Sequence, residues 1–265
     1  MTNITQGPKP KPPLFDYAFI RRDMGSVLDE LKNLAVEESW EYVNTPNIRN
    51  LPILNNFIHH TFCRIKDENK IVEENNYSAF NTGLVTLNQQ EIFMLFKKRS
   101  DGNRFFVEFC TESNANMGRF ATLPSRASYF SDPAELLFDP RLELRVNIDH
   151  IVDDTENFAR FPPAIRSLEK HQLLLTFQGA IDYAKKRVLR NYKTAIPQYY
   201  RGSQNSVGNL QLLLPLCLIS PVRADLALVV YKHNMSYVGK TCLTLDMAIN
   251  NARLIAKPDD EWLTP

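Results

Sequence analysis

Residues 70–113 constrain the fold of this chain more than any other stretch. KIVEEN, YSAFNTGLVTL, EIFMLFKKR and RFFVEFCTES each repeat apolar residues at a period near two and are rich in aromatic and β-branched types. Polar turns separate them: NQQ joins the second to the third, and SDGN joins the third to the fourth with Asp101-Gly102, a strong short hairpin signal. Parallel neighbours would need about a dozen residues or more between them, so segments this closely spaced must pair as an antiparallel meander.

Helical periods flank the meander. Val27, Leu31, Leu34 and Ala35 recur at helical spacing behind Ser26 and Asp29, which fit a capping box, and this predicts a short amphipathic helix reaching about Trp40. After the Asn- and Pro-rich NTPNIRNLP, the run ILNNFIHHTFCRI places Ile53, Phe57, Ile58 and Phe62 on one face of a second helix. The longest stripe is Ile165, Leu168, Leu173, Phe177, Ala180, Ile181, Ala184 and Val188, which predicts one helix from Pro163 to about Tyr192 lying across the sheet. Between these, ELLFD and LELRVNI read as strands, and TENFARFPP as a turn before the long helix. The expected fold is therefore α+β, an antiparallel β-meander or partly closed barrel packed against a long amphipathic helix.

At 265 residues the chain can bury a sizeable core, and residues 14–265 read as one α+β domain. Residues 1–13, rich in Pro and Lys, read as a disordered arm. With 31 basic against 30 acidic residues, the net charge of +1 supplies no global field toward nucleic acid, so any electrostatic footprint must be local. No run of about eighteen apolar residues occurs and the N-terminus carries no apolar signal segment, so the expectation is a soluble cytoplasmic protein without a membrane partner. Cys63, Cys110, Cys217 and Cys242 lie far apart in apolar runs, with no CxxC and no zinc-ligand spacing, and read as reduced core residues. The spacing is silent on oligomeric state.

The last quarter carries polar side chains that a strand or helix does not need: Lys193, Gln198, Tyr199, Tyr200, Arg201, Asp225, Asp246, Asn250 and Arg253 bracket the strands LQLLLPLCLI and ADLALVVYKH. KTAIPQYYRG offers a cation, an amide, two aromatic rings and a guanidinium between a helix end and a strand, and reads as a binding loop. Tyr199 and Tyr200 could stack on bases while Lys193, Arg201 and the basic helix end Lys185, Lys186, Arg187 and Arg190 hold phosphate, which suits single-stranded RNA. The helix dipole alone accounts for cations at that end, and one tyrosine could be buried with its hydroxyl bonded.

Folding ADLALVVYKH against YVGKTCLTL about position 235 puts Asp225 opposite Asp246, a pair that could bind a divalent cation or act as acid and base. The weightier alternative gives each carboxylate a routine use, Asp246 capping the final helix and Asp225 opening a strand. Asn81 and Thr82 interrupt an apolar strand beside Gly83, marking either a bulge or a close approach of a ligand to the backbone. The five histidines are scattered with no nucleophile signature nearby. P-loop, dinucleotide-binding, HExxH and GxSxG signatures are absent.

FDYAFI, ILNNFIHHTFCRI, KIVEEN, AFNTGL, AIPQYY, LQLLLPL, ADLALVV and YVGKTCLTLDMAINNARLI before DDEWL, in this order, resemble a domain of unknown function found in bacteria and fungi. Such domains often follow LOTUS (OST-HTH) or PIN-type modules in RNA-related proteins. The resemblance spans Phe15 to Leu263 and implies an RNA-associated role. No catalytic residues come with it. The expectation is binding of single-stranded RNA or a nucleotide through Asn81, Lys193, Gln198, Tyr199, Tyr200, Arg201 and Arg253. The alternative is an enzyme acting on a nucleotide or RNA end, with Asp225 and Asp246 holding a divalent cation.

Overall fold

The computed structural model describes residues 12–20, 23–201, 208–258 and 262–263. Of the expected N-terminal arm, residues 1–11 lie outside the described residues. The backbone gathers into two compact units, residues up to Glu41 with Ile48–Ser128, and Tyr42–Asn47 with residues from Tyr129 onward.

The first unit contains α1 (Pro13–Tyr17), α2 (Met24–Leu34), α3 (Pro52–Asp67) and the strands β1 (Val72–Glu74), β2 (Tyr77–Val85), β3 (Glu91–Lys98) and β4 (Arg104–Thr111). These strands pair antiparallel in the order β1-β2-β3-β4, as their short connections require. Tight turns close them: Asn75 and Asn76 take positive φ between β1 and β2, and Gly102 does so between β3 and β4. Asp23 caps α2 through the Ser26 amide, one turn earlier than the Ser26 box suggests. The helix stops at Leu34, where Ala35 turns extended, so the expected continuation to Trp40 does not form. Trp40 is nevertheless buried, and its ring meets Phe57 of α3. Apolar periodicity registered burial there and not helix.

Both faces of the β2–β3 centre are covered. Phe62, Phe80, Phe96, Phe106 and Phe109 form a chain of ring contacts on one side. Ala79, Phe93, Leu95 and Cys110 pack with Met117 and Phe120 on the other. The return segment after β4 is pinned by Ala121 donating to Glu74, Arg126 donating to the Gly83 carbonyl and Ser128 donating to Glu68. Such a segment has no period because side-chain hydrogen bonds hold it instead of a ladder.

The second unit contains β5 (Glu143–Val146), α4 (Ile148–Asp153), α5 (Thr155–Ala159), α6 (Pro163–Arg166), α7 (Lys170–Arg190), β6 (Ile196–Tyr200), β7 (Asn209–Leu216), β8 (Leu226–His233), β9 (Ser236–Leu243) and α8 (Leu245–Arg253). Its sheet runs β5-β9-β8-β7-β6, antiparallel except for the parallel pair β5–β9. The molecule is thus α+β with two open sheets among the described residues; the expected barrel closure is absent, and a parallel pair appears because α4 to α7 and three strands separate β5 from β9. ELLFD forms no strand: Pro133–Leu136 is a 3-10 turn whose Asp132 accepts the Ala134 amide.

The long apolar stripe is carried by two helices. Ser167 donates its hydroxyl to the Ala164 carbonyl, Glu169 turns extended, and α7 starts afresh at Lys170. Leu173, Phe177, Ala180, Ile181, Ala184 and Val188 of α7 share a core with Leu212, Leu214 and Leu216 of β7 and Leu226, Leu228 and Val230 of β8. Alternate β7 and β8 residues therefore face α7. The opposite face, with Leu213 and Val229, lies toward α8. Pro215 fits within β7 because β6 stops pairing at Leu213, so Pro215 has a partner strand on one side only. All four cysteines are free thiols, and burial pushes that of Cys110 up to about 12.

Candidate functional site

The segment read as a loop, IPQYY, is the edge strand β6. Its pairing with β7 sets which groups are presented and which are enclosed. Gln198 stands opposite Gln211 and is 1% exposed, its amide donating to Gln211 Oε1 at 2.8 Å and its carbonyl accepting from Asn251 of α8 at 3.1 Å. That amide is spent on holding α8 to the strand. Tyr199, one residue on, faces the other way and is 6% exposed, its ring edge-on to Tyr129 at 4.9 Å. Tyr200 ends the strand at 51% exposed, and Arg201 follows, half-buried. Of the two tyrosines expected to stack on bases, only Tyr200 presents its ring to solvent. The strand's period of two turns Tyr199 away from Tyr200, and Tyr200 is exposed because it ends the strand, Gln198 on its own side being enclosed.

At the other end of β6, Asn191 accepts the Lys193 amide in a single 3-10 turn that leaves Tyr192 and Lys193 exposed. The exposed face of α7 brings Lys186 and Arg190 to the same end of the chain segment. Neither makes an ion pair with another described residue, whereas Lys185 reaches Asp182 at 3.9 Å and Arg187 reaches the Cys217 sulfur at 3.7 Å. Residues 186–201 thus carry Lys186, Arg190, Tyr192 and Lys193 ahead of β6, and Tyr200 and Arg201 at its far end. Tyr192, not singled out from sequence, is read there as the helix end; only the 3-10 turn after α7 turns its ring outward.

The two carboxylates are each held by a different set of donors. The hairpin turns on Asn234 and Met235, and His233 faces Ser236. A bulge at Val229 and Val230 then shifts the register so that Ala227 faces Leu243. The ladder ends at that pair, and Thr244 then caps α8, so Asp246 lies in a helix and the expected Asp225–Asp246 strand pairing does not form. Asp225 Oδ2 accepts the Leu218 and Ile219 amides at 2.8 and 2.9 Å and so closes the β7–β8 connection. Asp246, 6% exposed in the first turn of α8, accepts Asn44 Nδ2 at 3.1 Å and Thr45 Oγ1 at 2.7 Å. Thr244 is the helix cap. Asn250, one turn along, donates to the Tyr42 hydroxyl and to the Asp246 carbonyl. Arg253 closes the helix, buried. The partners Tyr42, Asn44 and Thr45 lie two hundred residues away in the chain, and no local signal announces them.

Asn81 belongs to the first unit, fully buried in β2. Its Oδ1 accepts the Gly83 amide at 2.9 Å and its Nδ2 donates to the Pro124 carbonyl, while Thr82 donates to the Ile92 carbonyl at 2.7 Å. Gly83 has φ +78° and the ladder skips between Asn81 and Val85, so this is a bulge whose backbone groups the two side chains satisfy. The first unit also has a shallow hollow of about 200 Å³ beside Glu73, Ser78 and Arg104. There Arg104 pairs with Glu73 at 2.7 Å and lies 4.6 Å from the Tyr17 ring centre, and burial pushes the Tyr17 hydroxyl up to about 12. These groups satisfy one another and pin α1 to the sheet. Among the described residues no group of three or more His, Cys, Asp or Glu side chains is arranged to hold a metal ion, and no helix is long and apolar enough to cross a membrane.

A family profile described as a domain of unknown function (DUF3825) matches residues 31–262. The chain belongs to this family. No curated protein and no solved structure matches it. Membership takes in both units and every candidate residue above.

Proposed function

We propose that this DUF3825 chain is an RNA-associated protein that binds single-stranded RNA, or the nucleotide at its end, on the surface formed by residues 186–201. The observation that carries this reading is the exposed Tyr200 ring at the end of an edge strand whose preceding residues are enclosed and hydrogen bonded. A strand held in this way presents the ring from a backbone that loses little conformational freedom when a base stacks on it. Lys186, Arg190 and Lys193 supply exposed cations in the same segment, and Tyr192 supplies a second exposed ring. Aromatic rings interleaved with cations suit unstacked bases joined by phosphates, and a near-neutral net charge suits a short strand over a long duplex. The cytoplasm, and company with LOTUS or PIN-type modules, belong to the same proposal. Gln198, tied into hydrogen bonds with Gln211 and Asn251, acts in it as a support, and Asn81, enclosed in the first unit, takes no part in it.

The alternative enzyme reading draws less from the geometry, because Asp225 and Asp246 are held by different segments. The test is binding of a labelled oligouridine by fluorescence anisotropy. The affinity should fall steeply between about 50 and 200 mM salt. Tyr200→Ala should weaken it about tenfold, the usual value of one stacked base. Arg190→Ala should weaken it less and reduce the salt slope by about one. Absence of binding at low salt, or an affinity indifferent to Tyr200→Ala, would overturn the proposal.

A further inference from the structure

Between α2 and α3, residues 43–50 are all exposed and form neither helix nor strand. Within them Thr45 precedes Pro46, in a small loop closed by Asn47, whose side chain accepts the Tyr42 amide and donates to the Tyr42 carbonyl. The Thr45 hydroxyl donates at 2.7 Å to Asp246 Oδ2, and Asn44 donates to Oδ1 of the same carboxylate. One exposed threonine therefore latches the loop to a carboxylate that is almost wholly enclosed.

We propose that Thr45 is a phosphorylation site for a proline-directed protein kinase, and that its modification releases residues 42–47 from α8. In the transfer, Thr45 Oγ1 attacks the γ-phosphorus of ATP held by the kinase. Its proton passes to the kinase's catalytic base, and the bond to the departing ADP breaks. The product ester has lost the proton that Asp246 accepted and has gained a charge of about −2 beside it. An attraction becomes a repulsion between an enclosed carboxylate and a phosphate, and the favourable course is for the loop to leave. Arg223, which donates to Asn44 Oδ1 at 3.3 Å, can meet the phosphate outside, but an exposed pair of this kind holds weakly.

Among the described residues the other Ser or Thr followed by proline is Ser220. It is a poorer substrate: its backbone is bridged to Arg223, and Asp225 holds the two amides before it. A kinase takes its acceptor extended, which residues 43–50 permit without breaking a strand or a helix.

The test incubates the whole chain with a purified proline-directed Ser/Thr kinase and ATP, followed by intact mass, peptide mapping and limited proteolysis. One phosphate is expected on Thr45 and none there in Thr45→Ala. Cleavage within residues 42–50 should accelerate about tenfold, the factor carried by one charge-assisted hydrogen bond. In Asp246→Asn, which keeps the side-chain shape and removes the charge, phosphorylation should accelerate cleavage only about threefold or less relative to that variant unmodified. Phosphate elsewhere in the chain with none on Thr45, no phosphate at all, or a phospho-Thr45 chain cleaved no faster than the unmodified one would each overturn the proposal.

Discussion

His59 shows how a single enclosed group couples this fold to pH. It lies in α3 with its ring 4.9 Å from that of Phe15, and its Nδ1 is buried with no hydrogen-bond partner among the described residues. Burial, with His60 and Arg49 nearby, lowers its pKa from 6.5 to about 4. The unfolded chain therefore binds a proton that the folded chain refuses between these values. Stability is full above about pH 6.5 and declines as pH falls toward 4, by on the order of 2–3 kcal/mol. Urea titrations from pH 7 to pH 4 should show this slope, and His59→Phe should flatten it; an unchanged slope would assign it to carboxylates. A second residue bears on the proposed RNA surface. A Cβ at Gly208 would run into the Tyr199 ring, so Gly208→Ala should displace that ring and the β6 end it anchors. The expected outcome is a loss of about 1–3 kcal/mol in stability with weakened oligouridine binding. Retained stability and retained affinity together would show that Tyr199 does not set the position of Tyr200.

At the scale of elements, the short helix α5 is held to β9 by one buried amide. Asn157 Oδ1 accepts from Thr241 Oγ1 at 2.6 Å, from the Cys242 amide at 3.1 Å and from Arg160 Nη1 at 3.2 Å, while Arg160 also donates to the Cys242 carbonyl at 2.6 Å. A five-residue helix has little stability of its own, so tertiary bonds decide whether it forms. Asn157→Ala strands several buried donors and should cost about 2–4 kcal/mol in chemical denaturation. A loss below about 0.5 kcal/mol would mean that water replaces the amide. Legibility also varies by element. The meander could be read because period two, Asp101-Gly102 and short spacings agree with one another. β6 could not, since five residues with a proline, two tyrosines and a glutamine read as a loop until β7 pairs with them. The division between α6 and α7 was hidden because Ile165 and Leu168 kept the helical period across a break made by hydrogen bonding.

At the scale of the molecule, the path of the chain matters more than its length. Residues 42–47 belong to the second unit although the first unit's residues flank them on both sides. A fragment beginning at residue 129 would keep Asp246 but lose Tyr42, Asn44 and Thr45. Such a fragment loses both hydrogen bonds to this carboxylate and the cover they bring, which costs about 1–3 kcal/mol. It should melt well below the whole chain, and Asp246→Leu in the fragment should recover part of the difference. A fragment as stable as the whole chain would show that the loop contributes nothing to this unit.

The sequence by itself determined the α+β class, the meander, the faces of α3 and α7, the free thiols and the C-terminal concentration of polar groups. All of these follow from local period, turn chemistry and composition, which act within a few residues. Only the tertiary structure decided that Tyr200 and not Tyr199 meets solvent, that Gln198 is spent on α8, and that Asp246 answers to Thr45 and not to Asp225. Each of those outcomes depends on strand register or on a contact between residues far apart in the chain, and a one-residue shift in register is enough to reverse a side chain's face.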